Sequence, residues 1–179
     1  MTRKISAQGD FDGACFLYSI ANAVAALTGS QLSAAQWKKS IKTLPFRVDD
    51  FLTCLGTDSL NGRQIYFDEI SRHFCEQSKD NSFAVSSKDG IKTATSLRNT
   101  ITEGSVAIVA LHEGAHWVCV VDADASHFYI SCSAEALRAG TTYMEARSPN
   151  LGRVFNRKSK FAEMNIWKKY ALVIQCVDI

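Results

Sequence analysis

Cys15 is the residue of this sequence best placed to do chemistry. It stands in QGDFDGACFLYSIANA, residues 8 to 23, where a glycine-bearing loop turns into a strongly apolar run. If that run is a helix, the Cys15 sulfur lies beside first-turn N–H groups that lack intrahelical partners, at the positive end of the helix dipole. Such a setting favours the thiolate, the form of cysteine that attacks carbon. Gly13 allows a substrate close to the backbone. Gln8, on the same loop, carries a side-chain amide that could donate to an oxyanion beside the backbone N–H of Cys15. The competing expectation is a buried structural thiol, which free cysteine usually is. Cys15, Tyr18, Ser19 and Asn22 fall at i, i+3, i+4 and i+7 and form one polar-tipped stripe. For Ser19 and Asn22 the expected role is to hydrogen-bond neighbouring backbone.

A second motif offers different chemistry. HEGAH, residues 112 to 116, fits the HExxH pattern of zinc peptidases, with His112 and His116 as ligands, Glu113 as base and Glu135 as a nominal third ligand. The pattern works only on a helix, where i, i+4 spacing puts both imidazoles on one face. Here the flanks VAIVAL and WVCVV are β-branched and Gly114 sits in the middle. They read as two strands joined by a tight turn, so the expectation is no metal and no cofactor. His112 could still line the same cleft as His116.

The Gln8-to-helix stretch resembles the active site of papain-like cysteine peptidases. Gln8 and Gly9 match the family's glutamine–glycine pair, Cys15 the nucleophile, and Phe16 the aromatic that follows it. The resemblance implies a histidine on a strand in the second half of the chain, and His116 in GAHWVCVV is that residue. The layout is also similar to compact bacterial members, such as double-glycine leader peptidases and secreted effector proteases and deamidases. What this implies is a catalytic Cys15 and His116, with Gln8 in the oxyanion hole. They would act through a thioester on a protein or peptide substrate: a peptide bond, an isopeptide or a glutamine side chain. One departure matters. The family's third residue, Asp or Asn, orients the imidazole, and its place falls near Ser131, Cys132 or Ser133. Ser131 is nominated to accept the Nδ1–H, with Ser133 or a backbone carbonyl as alternatives. Asp122 shares strand parity with His116 but lies six residues along, about 20 Å away. The departure keeps open a catalytically weak or inactive relative that only binds peptides.

These residues need elements to position them. ACFLYSIANAVAAL, from Ala14 to Leu27, reads as a helix apolar on nearly every face, buried mid-domain and ended by Gly29. Ser33 and Gln36 are spaced as a capping box for a short helix to about Ile41, and Pro45 stops that segment. Residues 49–55 and 66–77 read as amphipathic helices, and 91–104 as another with Gly104 as terminator. After Gly104, SVAIVAL, HWVCVVDAD, SHFYISCS and KKYALVIQCVDI carry strand signals in hairpin order. TTYMEAR and FAEMN are candidate edge strands. The expected fold is α+β and papain-like, a central buried helix in an N-terminal helical half packed on a C-terminal antiparallel sheet. One domain is expected over 1–179, with the helical half about 1–104 and the strand-rich half about 105–179.

Composition sets the outer limits. The chain has 179 residues, 46% hydrophobic and 21% charged, as in ordinary globular proteins, and a net charge of +2 that gives no argument for nucleic acid. No run approaches the ~18 apolar residues of a membrane span. MTRKISAQGD lacks the apolar stretch of a secretory signal, so the expected location is cytoplasmic, with secretion by a signal-independent route as the alternative. With fourteen residues before Cys15, no N-terminal inhibitory propeptide is expected. The six scattered cysteines fit reduced, buried thiols better than a disulfide framework. RSPNLGRVFNRKSK, 147 to 160, reads as a solvated cationic loop. Trp117 reads as a core anchor, and His73 and His127 as structural or surface histidines. Nothing in the sequence fixes an oligomeric state.

Overall fold

The computed structural model describes residues 5–7, 13–44, 57, 64–77, 82–136, 144–145 and 153–177. The first helix, α1 (Cys15–Thr28), begins at the cysteine and is buried from Cys15 to Leu17 and from Ser19 to Val24. Gly29 ends it with φ 74° and donates its N–H to Ala25 O, the left-handed cap that glycine adopts without a Cβ penalty. Helix α2 (Ala34–Lys42) opens on the expected capping box. Ser33 Oγ accepts from Gln36 N, and Gln36 Oε1 accepts from Ser33 N at 2.8 Å. Helix α3 (Gln64–Glu76) is tied to the end of α2 through His73, whose Nε2 lies 2.9 Å from Thr43 Oγ1 and 3.1 Å from Ser40 O. The helix read at 49–55 lies outside the described residues.

Helix α4 (Ala94–Thr100) stops at extended Ile101, short of Gly104. Ser105 Oγ donates to Thr100 O at 2.7 Å, and Thr102 and Ser105 exchange backbone bonds, so the helix gives way to a tight turn that encloses Gly104.

Among the described residues eight strands follow in chain order: β1 (Phe83–Lys88), β2 (Ser105–Leu111), β3 (His116–Ala123), β4 (Phe128–Ser131), β5 (Met144–Glu145), β6 (Val154–Phe155), β7 (Arg157–Ser159) and β8 (Ile166–Cys176). Six form an antiparallel sheet in the order β1-β8-β2-β3-β4-β7, and β5 and β6 pair separately. β1 therefore joins the sheet from within the half read as helical. Of the two candidate edge strands, 144–145 pairs with β6, and 161–163 forms a 3-10 turn. The cationic stretch is not a solvated loop where it is described. Arg153, Val154 and Phe155 are buried, and Arg153 donates to Val121 O at 2.8 Å and to Ser105 O at 3.3 Å. Arg157 pairs with Glu135 at 3.4 Å.

The sheet is covered on both sides, which explains why β2 is apolar at nearly every position and buried at all of them. One face carries Val106, Ile108, Ala110, Trp117, Cys119 and Leu172 against α1 and α3. The other carries Val109, Val118, Val120 and Ile130 against Ile91, Leu97 and Met164. Tyr170 on β8 reaches α3 by donating its hydroxyl to Asp68 Oδ1 at 2.8 Å.

Gly90 marks a close approach. Its φ is +83°, and a Cβ there would stand 1.7 Å from Lys168 O on β8. Gly90→Ala must both strain the backbone and push the β8 edge away, at an expected cost of about 2–4 kcal/mol. Guanidinium unfolding checks this, and an unchanged midpoint would remove the claim that this contact is tight.

Candidate active site

The candidate nucleophile is set by the way α1 begins. Ala14, with no side-chain acceptor, occupies the N-cap, and no acidic residue stands in the first turn of α1, so Cys15 itself sits at the positive helix end. Cys15 is 4% exposed. Its Sγ lies 3.7 Å from Thr57 Oγ1, while Thr57 donates to Gly13 O from both its hydroxyl (2.6 Å) and its N–H (3.1 Å). With its proton committed to Gly13, the Thr57 oxygen presents a lone pair to Cys15 and so accepts from the neutral thiol. Thr57 belongs to no motif and carried no signal in the sequence.

The stripe on α1 is structural where it was expected to be. Ser19 Oγ donates to Cys15 O at 2.8 Å. Asn22 accepts Ser6 N at 2.7 Å and donates to Ser6 O at 3.4 Å, so residues 5–7 are fastened alongside α1. Gln8 itself lies outside the described residues.

His116 opens β3, half-buried at the strand's end. Phe16 and Trp117, the residues that follow Cys15 and His116, meet edge to face with centroids 4.8 Å apart, which holds the two candidate positions to one another through their neighbours. The pleat sends Trp117 to the α1 face. The His116 ring reaches the opposite layer, where Nε2 lies 3.3 Å from Cys132 Sγ. It is thus Nε2, not the expected Nδ1, that faces the third position.

Ser131 stands elsewhere. It pairs with Cys119 and so shares the α1 face, and its hydroxyl donates to Val154 O. Strand parity separates the two neighbours: one residue further on, Cys132 points to the ring. A bulge between Val120 and Asp122 breaks the parity argument for Asp122, which pairs with Tyr129 and accepts the N–H of Ala123 at 2.8 Å.

HEGAH is a turn. Leu111 pairs with His116, and His112–Gly114 between them form a single 3-10 turn with His112 and Glu113 at φ 50° and 59°. His112 Nδ1 lies 3.0 Å from Asn165 Nδ2, and Glu135 is paired with Arg157. The zinc reading fails here because a hairpin cannot put the two imidazoles on one helical face. Beside this turn lies an open groove of about 520 Å³, lined by Glu113, Asn165, Ile166, Trp167, Lys168 and Lys169.

The thiols differ in setting. Burial pushes those of Cys75 and Cys119 up to about 12 and raises that of Cys132, so all three stay protonated at neutral pH. The five described cysteines are free and buried.

No family model and no curated protein matches the chain by sequence. By structure it is similar to the peptidase domain of Streptococcus ComA, a bifunctional ABC transporter involved in a quorum-sensing pathway, seen in a crystal structure. The match has a TM-score of 0.52 and 15% identity, and covers 96% of this chain and 97% of that one. The fold is therefore the α+β arrangement of a papain-like peptidase domain. No helix among the described residues is long and apolar enough to cross a membrane.

Proposed function

We propose that the chain is a papain-like cysteine hydrolase that opens an amide bond through a thioester on Cys15. The observation that carries the reading is the juxtaposition of the α1 N-terminus with the start of β3, held by Phe16 against Trp117. In this reading the Cys15 proton passes to Nδ1 of His116 across the end of β3, Nε2 being turned to Cys132. The thiolate adds to the carbonyl carbon, and the oxyanion is held by the Cys15 backbone N–H and Gln8. His116 returns the proton to the departing amine or ammonia, then activates the water that releases the acid. A peptide bond, an isopeptide and a glutamine side chain all suit this sequence of steps. The groove beside the 112–115 turn, with an indole and two lysines, would carry a peptide chain. Because ComA's domain is a peptidase, a protein or peptide substrate is favoured.

One observation favours a second reading, a weak or inactive peptide-binding relative. Neutral groups, Thr57 and Cys132, contact the candidate nucleophile and base, and neither stabilises a charged pair as a carboxylate would.

Iodoacetamide labelling at pH 6 separates the two. Lowering a thiol from about 8.5 to about 6 raises its thiolate fraction at pH 6 by ~150-fold and lowers its intrinsic nucleophilicity by ~10-fold. Cys15 should therefore label more than about tenfold faster than an ordinary thiol at this pH, and lose that lead in His116→Ala. Labelling of Cys15 no faster than Cys176 would sink the hydrolase reading.

A further inference from the structure

We infer that Cys132, clamped by Asn156, is the positioning residue for His116, filling with a neutral thiol the place at which the proposed hydrolase would otherwise use a carboxylate or amide. The inference rests on the hydrolase reading for its purpose but on geometry for its content.

Cys132 is 1% exposed, directly after β4, with its Sγ 3.3 Å from His116 Nε2. Among the described residues no strand pairs with its backbone there. The Asn156 side chain supplies the missing pairing: Oδ1 accepts from Cys132 N at 2.9 Å and Nδ2 donates to Cys132 O at 2.8 Å. Asn156 is itself fixed by its own N–H to Ile130 O at 3.1 Å, between β6 and β7. Residue 132 is thus held on both backbone groups by one amide, which sets where the sulfur points. The charged residues that act on Cys132, Glu135 and Arg157, are paired with each other.

The chemistry of a thiol here differs from that of a carboxylate. A base that takes a proton on Nδ1 must carry its own proton on Nε2. A carboxylate opposite Nε2 enforces that tautomer and stabilises the imidazolium. A thiol is a weak acceptor, and if its own S–H points to Nε2 it selects the opposite tautomer. Cys132 therefore fixes the ring in place without itself supplying the charge support that a carboxylate opposite Nε2 would give.

Cys132→Asp tests this. The rate of Cys15 alkylation by iodoacetamide is followed from pH 4 to 10 by peptide mass spectrometry. A carboxylate next to Nε2 should shift the upper limb, where the imidazolium is lost, upward by about one pH unit or more. It should also raise the rate at pH 6–7 several-fold. Asn156→Ala, which frees residue 132, should lower that rate without changing the reactivity of Cys176. An unmoved profile in folded Cys132→Asp overturns the assignment, as does faster labelling of Cys132 than of Cys15 in the wild type. If the buried aspartate prevents folding, the imidazole nitrogen signals of His116 in 15N-labelled protein decide. They should move on Cys132→Ser while those of His73 stay, and identical His116 signals overturn the assignment. Failure of the hydrolase reading looks different: Cys15 then has no labelling lead in any variant.

Discussion

Trp117→Ala lowers the free energy of unfolding by about 3–5 kcal/mol, a large share of the roughly 5–15 kcal/mol that a domain of this size has in total. The indole is fully buried and packs on three rings: Phe16 at 4.8 Å, Phe67 at 4.8 Å and Tyr170 at 6.1 Å. These rings come from α1, α3 and β8, elements fixed by other contacts, so the space left by the indole cannot collapse. The same removal frees the segment bearing Cys15 from the one bearing His116. Loss of stability and loss of the Cys15 labelling lead should therefore appear together. Trp117→Phe should cost less, because it keeps the aromatic contact with Phe16 and removes an indole N–H that has no hydrogen-bond partner among the described residues. Guanidinium unfolding followed by far-ultraviolet circular dichroism measures the difference. A loss for Trp117→Ala below about 1 kcal/mol would mean that the aromatic cluster does not hold the helix to the sheet.

The second large effect is chemical. On any amide that the wild type turns over, Cys15→Ala should lower kcat by on the order of 10⁴-fold or more, since no other group can form the acyl intermediate. His116→Ala should lower it by roughly 10²–10⁴-fold, the usual worth of a positioned acid–base group. Neither change should disturb the fold by more than about 1 kcal/mol, because each removes few buried atoms. In the folded protein the thiol rests against the Thr57 oxygen, and in the proposed mechanism its proton would leave that contact for His116. Ammonia release and peptide cleavage, both read on a mixed peptide library, distinguish deamidase from peptidase. A Cys15→Ala enzyme that keeps about a tenth of wild-type kcat would show the sulfur to be a packing atom.

The parts of this fold that were legible in the sequence are those with a local physical cause. Ser33 and Gln36 satisfy each other's backbone within four residues, and Gly29 supplies the left-handed cap on the spot. The β2-β3-β4 meander follows from β-branched runs separated by short polar turns, which is also why HEGAH could be read as a turn. What was missed depends on distant partners. β1 is an exposed edge strand whose Ser and Lys residues show no buried face, and only β8 makes it a strand. Arg153 looks like a solvated cation until the backbone carbonyls of Ser105 and Val121 are brought to it. Cys132 and Ser131 differ by one pleat, a distinction that the register with Cys119 settles. Thr57 and Asn156 act through backbone contacts far along the chain and leave no trace in spacing.

The position of β8 has a bearing on how the molecule is made. It is the last strand of the chain yet sits between β1 and β2. During synthesis at 5–20 residues per second, β1 is complete roughly 4–16 s before the first residue of its partner β8 has been added. Within that interval, once β3 has paired with it, β2, buried along its whole length in the finished sheet, presents one unpaired apolar edge. Such an edge is a template for another chain. Nascent copies are therefore most open to aggregation after β3 has formed and before β8 arrives, and slower translation of residues 124–165 lengthens that exposure.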